Sequence, residues 1–539
     1  MFKRNLLLLS ALVLIALLAT GCAPDKPPIG GILNQGVVGA PSMLNPILLN
    51  DSVSGMVADL IFQGLVRYDE NMQPVGQLAK SWQVSPDQLE WTFLLRDDVY
   101  WHDGQPFTAD DVKFTFETIA FNENCPGPKF ADFPLLIGID LLGEHSIKFT
   151  LAAPFAPFLG SLTQGIVPRH IFDPTIAKGP DKVSIAAMEK HPRNWKPIGT
   201  GPYILAHWVD NEYITLERNG NYYDGLYPYI ETINLKFFPD LISALDALQA
   251  GEVDLLGDIP EDALQELETS LGASHNFYFS QELGYHFLCF NFRPQAFGPD
   301  RVNPWLDIRV RQAVAHALNR ENFLDEQLYG RGVLMNSPVP PTSWAFAPAL
   351  ANFAYNPALA NQLLDGAGWV RAPGGWRHKG GQKLSFQLTT RGDNDFHLAI
   401  AAMVQAELGE IGIEVELNTV PWNEMLGNHV LSGDFEMMLM GLSLTPDPDA
   451  FKVFHTTEGL NFGAYSNEEL DSLLIQGRET ADIQARKEIY GDMQAILAAD
   501  LPYIFLFSRE MTAAAAGHIR GITVSALGLC WPERWSIEE

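Results

Sequence analysis

The chain has 539 residues, of which 65 are acidic and 35 are basic, so its formal charge at pH 7 is −30. Such a charge argues against nucleic-acid binding, which depends mainly on Lys and Arg contacts to phosphates, and it disfavours adsorption to anionic lipid. The length and a hydrophobic content of 47% allow two or three domains with sizeable cores.

The start of the chain has the pattern of a secretory signal. Two basic residues precede an apolar run from Leu6 to Ala19, and small residues then lead to Cys22. The run is shorter than the ~20 residues of a comfortable transmembrane helix. The end of the segment resembles a lipoprotein box, which predicts cleavage of residues 1–21 and lipid on Cys22. A plain signal peptide with an incidental cysteine is the alternative.

Residues 22–36 are rich in Pro and Gly and predict a tether, and nothing after Cys22 is apolar for long enough to span a bilayer. The remaining cysteines are Cys125, Cys289 and Cys530, and the chain has no Cys-x-x-Cys motif. We therefore expect no metal site. A disulfide is permitted outside the cytoplasm, but at least one of the three thiols must stay unpaired.

The body of the chain alternates between strand and helix patterns, which indicates an α/β fold. The predicted strands are one within Val37–Leu49 that ends at Leu44-Asn45-Pro46, then Trp91–Leu95, Val99–Trp101, Tyr203–Trp208, Tyr213–Glu217, Val253–Leu256, Leu384–Thr390, Val415–Val420 and Phe435–Met440. The predicted helices are Met56–Val66, one opened by Thr108, Leu241–Ala250, one capped by Asp307, and Ile400–Ile411.

Two motifs invite a catalytic interpretation. Trp101-His102-Asp103-Gly104 has the residue types of a metal or catalytic site, but it equally completes a turn before a helix cap. Gly199-Thr200-Gly201 lacks the Lys-Ser or Lys-Thr of a phosphate loop and leads into a strand. We interpret both motifs as turns. No nucleophile occurs with its base at a recognisable spacing, so we expect no enzyme activity and no cofactor.

A series of short motifs resembles family 5 of the extracellular solute-binding proteins, the receptors of peptide and nickel ABC importers. Each motif is weak by itself, but their order and spacing extend over nearly the whole mature chain. The motifs are Leu44-Asn45-Pro46, Gly64-Leu65-Val66, Leu78-Ala79-Lys80-Ser81-Trp82, the stretch from Trp101 to Val112, Gly199 to Tyr203, Ala250 to Asp254, Arg309 to Ala313, Tyr355-Asn356-Pro357, Ala367-Gly368-Trp369 and Tyr465-Ser466-Asn467.

The resemblance implies an α/β, two-lobed periplasmic-binding-protein type II clamshell with mixed sheets and an extra N-terminal domain. By analogy, lobe I comprises residues 37–66, 166–283 and 507–539, the extra domain II residues 67–165, and lobe III residues 284–506. The implied role is a non-enzymatic, monomeric receptor that binds a small solute between its lobes. It would deliver that solute to an ABC permease and be anchored in the periplasm or at the cell surface by lipid on Cys22.

The solute class depends on the segment from Phe435 to Phe451. Peptide receptors of this family carry Gly-Trp and then an Asp that binds the peptide ammonium group. Here the Trp position is Leu442, and the Asp position falls at Leu444 or Thr445, neither of which is acidic. Asp447 or Asp449 could replace the missing acid, although both flank Pro448 and fit a turn equally well. Peptide-like solutes are favoured, and a nickel–chelator or another non-peptide solute is the alternative.

Comparison with the family pattern predicts further residues of the cleft. The hinge crossing is expected near Glu282, and Trp422 would form a pocket wall, with ordinary core packing as its alternative. The predicted solute-binding residues are Asn50, Asp51, Ser52, Glu282, Gly284, Tyr285, Trp422, Gly441, Leu442, Ser443, Leu444, Thr445, Asp447, Asn461 and Tyr465. A secreted hydrolase or a non-transport interaction lipoprotein is the alternative of another class.

Overall fold

The structure is a computed structural model, and it describes residues 27–127, 133 and 135–538. The predicted signal peptide, Cys22 and the start of the predicted tether lie outside these residues and stay predictions. Within the described ranges, no helix is both long and apolar enough to cross a bilayer. Cys125, Cys289 and Cys530 are free thiols.

Strands and helices alternate along the chain, as the sequence predicts. The strands are β1 Ile32–Val38, β2 Val66–Tyr68, β3 Pro74–Gly76, β4 Ala79–Val84, β5 Glu90–Leu95, β6 Leu136–Gly143, β7 Ser146–Leu151, β8 Tyr203–Val209, β9 Tyr213–Arg218, β10 Thr232–Phe238, β11 Leu255–Ile259, β12 His275–Gln281, β13 Gly284–Phe290, β14 Gly332–Leu334, β15 Val370–Arg371, β16 Arg377–Lys379, β17 Gln382–Lys383, β18 Ser385–Arg391, β19 Glu414–Val420, β20 Met437–Ser443, β21 Tyr503–Ala516, β22 Ile519–Arg520, β23 Thr523–Ser525, β24 Gly528–Cys530 and β25 Ser536–Ile537. The α-helices are α1 Ser52–Ile61, α2 Ala109–Phe121, α3 Phe158–Ser161, α4 Arg169–Phe172, α5 Leu241–Gln249, α6 Glu261–Leu271, α7 Ile308–Ala317, α8 Arg320–Leu328, α9 Pro357–Gly366, α10 Asp395–Glu410, α11 Trp422–Glu424, α12 Phe451–Phe454, α13 Glu468–Glu479 and α14 Ile483–Asp500.

A mixed sheet runs through the molecule in the order β19-β18-β20-β13-β21-β11-β1-β10-β9-β8. The 14-residue strand β21 holds it together. The first part of β21 pairs with β13, where Phe505 lies opposite Phe287, and its last part pairs with β11, where Ala515 lies opposite Leu255. One strand therefore joins the strands of predicted lobes I and III. The lobe limits themselves stay a prediction.

A second sheet, in the order β4-β5-β7-β6, lies within the predicted extra domain at residues 67–165. Helix α2 covers it, and the two share a core of aromatic rings. The Phe149 ring meets the rings of Phe93 and Phe116 edge to face, with centroids 5.7 and 5.3 Å apart. Helix α2 begins as predicted, because Thr108 and Asp111 form a reciprocal capping box.

Three local predictions are wrong. The first strand, predicted within Val37–Leu49, is β1 at Ile32–Val38, and the helix predicted at Met56–Val66 is α1 at Ser52–Ile61. Helix α1 starts early because the Asp51 carboxylate accepts a hydrogen bond from the Ser54 N–H at 2.7 Å and so caps it. The predicted strand Val99–Trp101 is reduced to a single bridge between Tyr100 and Pro106.

The two motifs that invited a catalytic interpretation bind each other. His102 Nε2 lies 3.1 Å from the carbonyl oxygen of Gly201, and His102 Nδ1 accepts the Gly199 N–H at 3.2 Å. A Cβ at Gly199 would lie 1.8 Å from the carbonyl oxygen of Ile61, so only glycine allows this approach to the end of α1. Burial lowers the pKa of His102 to about 4. Both motifs therefore have a structural role.

Candidate binding cavity between two walls

A cavity of about 750 Å³ lies between two sets of segments that are distant in the sequence. Its volume falls in the ~300–1,000 Å³ range of small-molecule sites. The N-terminal wall consists of Pro46, Leu49, Asn50, Asp51, Gly55, Asp59, Tyr68, Phe133, Phe155, Pro157, Gly160, Ser161, Thr163, Gln164 and Gly165. The C-terminal wall consists of Leu283, Tyr285, Pro338, Val339, Pro340, Ser343, Leu442, Ser443, Leu444, Thr445, Pro446, Asp447, Pro448, Asp449, Ala450, Lys452, Val453, Phe454, Leu460 and Arg478.

Helix α1 brings acidic side chains to the N-terminal wall. The Asp51 carboxylate accepts hydrogen bonds from the Ser42 hydroxyl at 2.8 Å and from the Ser54 hydroxyl at 2.7 Å, besides its helix-capping bond. Burial acts to raise the pKa of Asp51, but these hydrogen bonds outweigh it and hold the pKa below its ordinary value. Asp59, two turns further along α1, also faces the cavity. Both side chains present carboxylates to this wall.

The C-terminal wall also carries acids, but arginines bind them from behind. The Arg486 guanidinium donates to both oxygens of Asp447, at 2.8 and 2.7 Å. Arg478 Nε donates to Asp449 at 2.8 Å. Burial is the main cause that raises the pKa of Asp449, and the charge of Arg478 opposes it. The bidentate Asp447–Arg486 pair and the Asp449–Arg478 pair, which has one hydrogen bond, fix the Pro-rich loop that follows β20.

Two adjacent strands, β13 and β20, contribute to the C-terminal wall. Tyr285 on β13 lies opposite Leu442 on β20, and the Leu444 N–H extends the ladder by donating to the Leu283 carbonyl at 2.8 Å. Strand β20 therefore continues to Ser443, beyond the end predicted for it at Met440. Tyr285 is buried, and its hydroxyl has no hydrogen-bond partner among the described residues.

Direct contacts join the two walls at one edge of the cavity. The Ala156 N–H donates to the carbonyl oxygen of Arg478 at 2.7 Å, and the Ala481 N–H donates to Gln88 Oε1 at 2.8 Å. The Arg478 guanidinium also lies 5.1 Å from the centroid of the Phe155 ring. These contacts hold the walls together around the cavity.

The sequence profile of the bacterial extracellular solute-binding proteins, family 5 middle region, matches residues 73–460, more than half of the chain. The chain belongs to family 5 of the bacterial extracellular solute-binding proteins. The family resemblance predicted from the motifs is thereby confirmed.

Relatives of this family 5 protein include receptors for different solutes. The oligopeptide-binding protein AppA of Bacillus subtilis (strain 168) is 30% identical over 541 positions that cover 96% of each chain. The structure of that protein in complex with a nonapeptide matches with a TM-score of 0.75 and 29% identity, over 95% of this chain and 100% of the other. NikZ from Campylobacter jejuni in complex with Ni(L-His) matches with a TM-score of 0.73 and 27% identity, over 94% and 99%. These matches confirm the predicted two-lobed α/β fold.

The structure brings part of the predicted site together. The predicted residues that line the cavity are Asn50, Asp51, Tyr285, Leu442, Ser443, Leu444, Thr445 and Asp447. They come from both walls, so they belong to segments that are distant in sequence. The predicted residues outside the cavity lining are Ser52, Glu282, Gly284, Trp422, Gly441, Asn461 and Tyr465.

The outlying residues have other partners. Trp422 stacks under the Arg391 guanidinium at 5.1 Å and is 38% exposed, so it is neither core nor cavity wall. The Asn461 amide donates to the backbone of Tyr465, whose hydroxyl donates to Asp500. Glu282 accepts the Arg509 N–H at 3.0 Å.

The two predicted glycines and Ser52 are neighbours of cavity residues. Gly284 lies in β13 and Gly441 in β20. Gly441 contacts the imidazole of His286 on the face of these strands that points away from Tyr285. Ser52 is the first residue of α1, next to the capping Asp51. Each is adjacent to a cavity residue without lining the cavity itself.

Sequence reasoning missed Asp59, Tyr68, Lys452 and Arg478 on the cavity. Asp59 could have been found, because it lies on the same helix as the predicted Asp51. Tyr68 has no such signal, since it reaches the cavity from β2. Its pKa is raised by burial and then by the negative charge of Asp447.

Proposed function

We propose that this protein is an extracytoplasmic receptor that binds a peptide-like solute between its two walls and delivers it to an ABC permease. The observation that carries the proposal is the cavity of about 750 Å³, formed by two distant parts of a family 5 chain and bridged by direct contacts. Its chemistry is mixed, with apolar side chains from Leu442, Leu444 and Phe454 beside charged groups from Asp51 and Lys452. A peptide offers both kinds of surface.

The organisation of the receptor follows from this role. We assign residues 37–66, 166–283 and 507–539 to lobe I, residues 67–165 to the extra domain and residues 284–506 to lobe III. The receptor acts without catalysis and as a monomer. Lipid on Cys22 anchors it at the outer side of the cytoplasmic membrane. We assign the attachment to this lipid because a chain of net charge −30 has little attraction of its own to anionic lipid.

A nickel–chelator complex is the second candidate solute. It is favoured by the match to NikZ in complex with Ni(L-His) and by the lack of an acid at Leu444 and Thr445. The match to AppA, named as oligopeptide-binding, covers slightly more of the chain at slightly higher identity. We therefore place peptide-like solutes first.

Native mass spectrometry of the protein purified from cells tests the function. We expect a bound small molecule that is lost on denaturation, and added solute should stabilise the fold by ~2.7 kcal/mol at ~100 times its dissociation constant. A protein that stays empty with peptide mixtures and with Ni²⁺–histidine, and that turns over an ester or peptide substrate, would instead be a hydrolase. An empty protein without turnover would point to an interaction lipoprotein.

The anchor is tested separately. Cys22→Ser removes the thiol that would carry lipid, so the protein should be released from the membrane fraction or stay uncleaved. Normal processing together with membrane retention after a salt wash would exclude the lipoprotein assignment.

A further inference from the structure

The charges that line the cavity divide into balanced and unbalanced groups. Asp447 is bound by Arg486 and Asp449 by Arg478, so these pairs present no net charge to a solute. The remaining cation on the C-terminal wall is Lys452. Among the residues that the structure describes, the Lys452 ammonium group forms no ion pair and no hydrogen bond.

The backbone that carries Lys452 is held in place. Lys452 belongs to the single turn α12, whose first N–H, that of Phe451, donates to the Asp449 carboxylate at 3.2 Å. The Phe451 ring lies 4.0 Å below the Arg478 guanidinium. Lys452 thus lies on a fixed turn, is exposed, and is one of the residues that line the cavity. An unpaired ammonium group in a cleft favours a negatively charged partner.

The opposite wall has the opposite sign. Asp51 is hydrogen-bonded by neutral groups, the hydroxyls of Ser42 and Ser54 and one backbone N–H, and it forms no ion pair within the described residues. Its pKa is held below the ordinary value, so it is ionised at neutral pH. The cavity is therefore bipolar, with the Asp51 carboxylate on the N-terminal wall and the Lys452 ammonium group on the C-terminal wall.

We propose that Lys452 binds the carboxylate of a zwitterionic, peptide-like solute, whose ammonium group faces the N-terminal wall at Asp51. The inference deepens the proposed function and depends on it. It also accounts for the uncharged residues at Leu444 and Thr445, because in this orientation the C-terminal wall needs no acid for the ammonium group. Lys452 is then the residue that selects for a free carboxylate.

The test offers the full-length protein two libraries of di- to pentapeptides, one with free C-termini and one of the same sequences as C-terminal amides. Bound species are identified by native mass spectrometry, and the recovered sequences are titrated individually. We expect the wild type to prefer free acids, and Lys452→Gln to lower their affinity by roughly 10- to 100-fold, the effect of losing one charge-assisted hydrogen bond. Affinity for the amides should be unchanged.

Two variants serve as controls. Lys452→Arg keeps the positive charge and should keep the preference for free acids. Lys487→Gln removes an exposed lysine that lies on α14 away from the cavity, and it should bind as the wild type does.

The outcomes separate the two proposals. In one outcome the wild type binds peptides while Lys452→Gln lowers the affinity for free acids and amides by the same factor, or changes neither affinity. In either case the role of Lys452 is wrong and the receptor function stands. If the wild type binds neither library, the peptide-like solute class is itself wrong.

Discussion

Both walls of the cavity carry aspartates, yet the two walls balance that charge in different ways. On the C-terminal wall, Asp447 and Asp449 are bound by arginines from α14 and α13. On the N-terminal wall, Asp51 is bound by hydroxyls and a backbone N–H, which leave its full negative charge in place. The comparison teaches that an acid on a cavity wall is informative about a ligand only after its own partners have been counted.

The difference has a consequence for stability. The Asp447–Arg486 pair is largely buried, with 15% and 7% of the side chains exposed, so it holds the loop after β20 through an interaction that water screens little. Asp51 instead stabilises one helix end, and its charge remains available. We therefore expect a break in the Asp447–Arg486 pair to affect folding first, and loss of the Asp51 charge to affect binding first.

The largest effect should come from Arg486→Met, which leaves the buried Asp447 carboxylate unpaired. We expect the free energy of unfolding to fall by ~3–5 kcal/mol, as measured by urea denaturation. Lys148→Met is the control, because it breaks a more exposed pair with Glu90 that should contribute no more than ~1 kcal/mol. Equal losses for the two variants would contradict the greater weight given to the buried Asp447–Arg486 pair.

Asp447→Asn breaks the same pair from its other end and tests the predicted replacement of the ammonium-binding acid. Since the Asp447 charge is balanced by Arg486, we expect a loss of stability of ~1–3 kcal/mol. Affinities for free-amine and N-acetylated peptides, measured by calorimetry, should change by the same factor. A selective loss of the free-amine peptides would show that Asp447 does bind the ammonium group.

The free energy of unfolding should depend on pH through two adjacent histidines. His286 on β13 lies 3.1 Å from His397 on α10, and Glu282, Arg509 and Arg391 are the charged groups nearby. Burial, followed by the positive charges of the arginines, lowers the pKa of His397 to about 4.

Between its ordinary pKa of about 6.5 and about 4, the unfolded chain binds the His397 proton and the folded chain does not, so stability must fall as the pH falls through that window. The loss should reach up to about 3 kcal/mol. His397→Gln should reduce this pH dependence, measured by urea denaturation at pH 7 and pH 4, whereas a change of the exposed His207, His207→Gln, should not. An unchanged slope in His397→Gln would contradict the assignment.

Two substitutions at Asp51 separate its helix-capping role from the effect of its charge on binding. Asp51→Ala removes the cap of α1 and should lower the free energy of unfolding by ~1 kcal/mol. Asp51→Ser keeps a capping oxygen but removes the charge, so its melting temperature should stay close to that of the wild type while its affinity for a zwitterionic peptide falls. If Asp51→Ser binds normally, the acid serves only the helix.

The smallest effect concerns the contacts that join the walls. Gln88→Ala removes the acceptor of the Ala481 N–H, one hydrogen bond worth ~0.5–1.5 kcal/mol, so solute release should become about 2- to 10-fold faster. Stopped-flow release of bound solute measures it. Gln83→Ala, an exposed residue of β4 in the same domain, is the matched control and should release solute at the wild-type rate.

The sequence by itself determined the family, the α/β fold and many element positions, because these depend on short-range signals. Thr108 and Asp307 cap helices as predicted, and the strand predicted at Leu384–Thr390 is β18 at Ser385–Arg391. Cap residues, apolar periodicity and turn motifs act over a few positions, so they are legible in the chain. The family pattern also predicted residues that lie on both walls of the cavity.

Only the tertiary structure decided which side chains are available to a solute. Asp447 meets Arg486 from 39 positions away, and Trp422 is held by Arg391 outside the cavity. Lys452 is unpaired within the described residues only because the neighbouring arginines have bound their own aspartates. Charge balance depends on contacts between distant segments, and no local pattern of residues encodes those contacts.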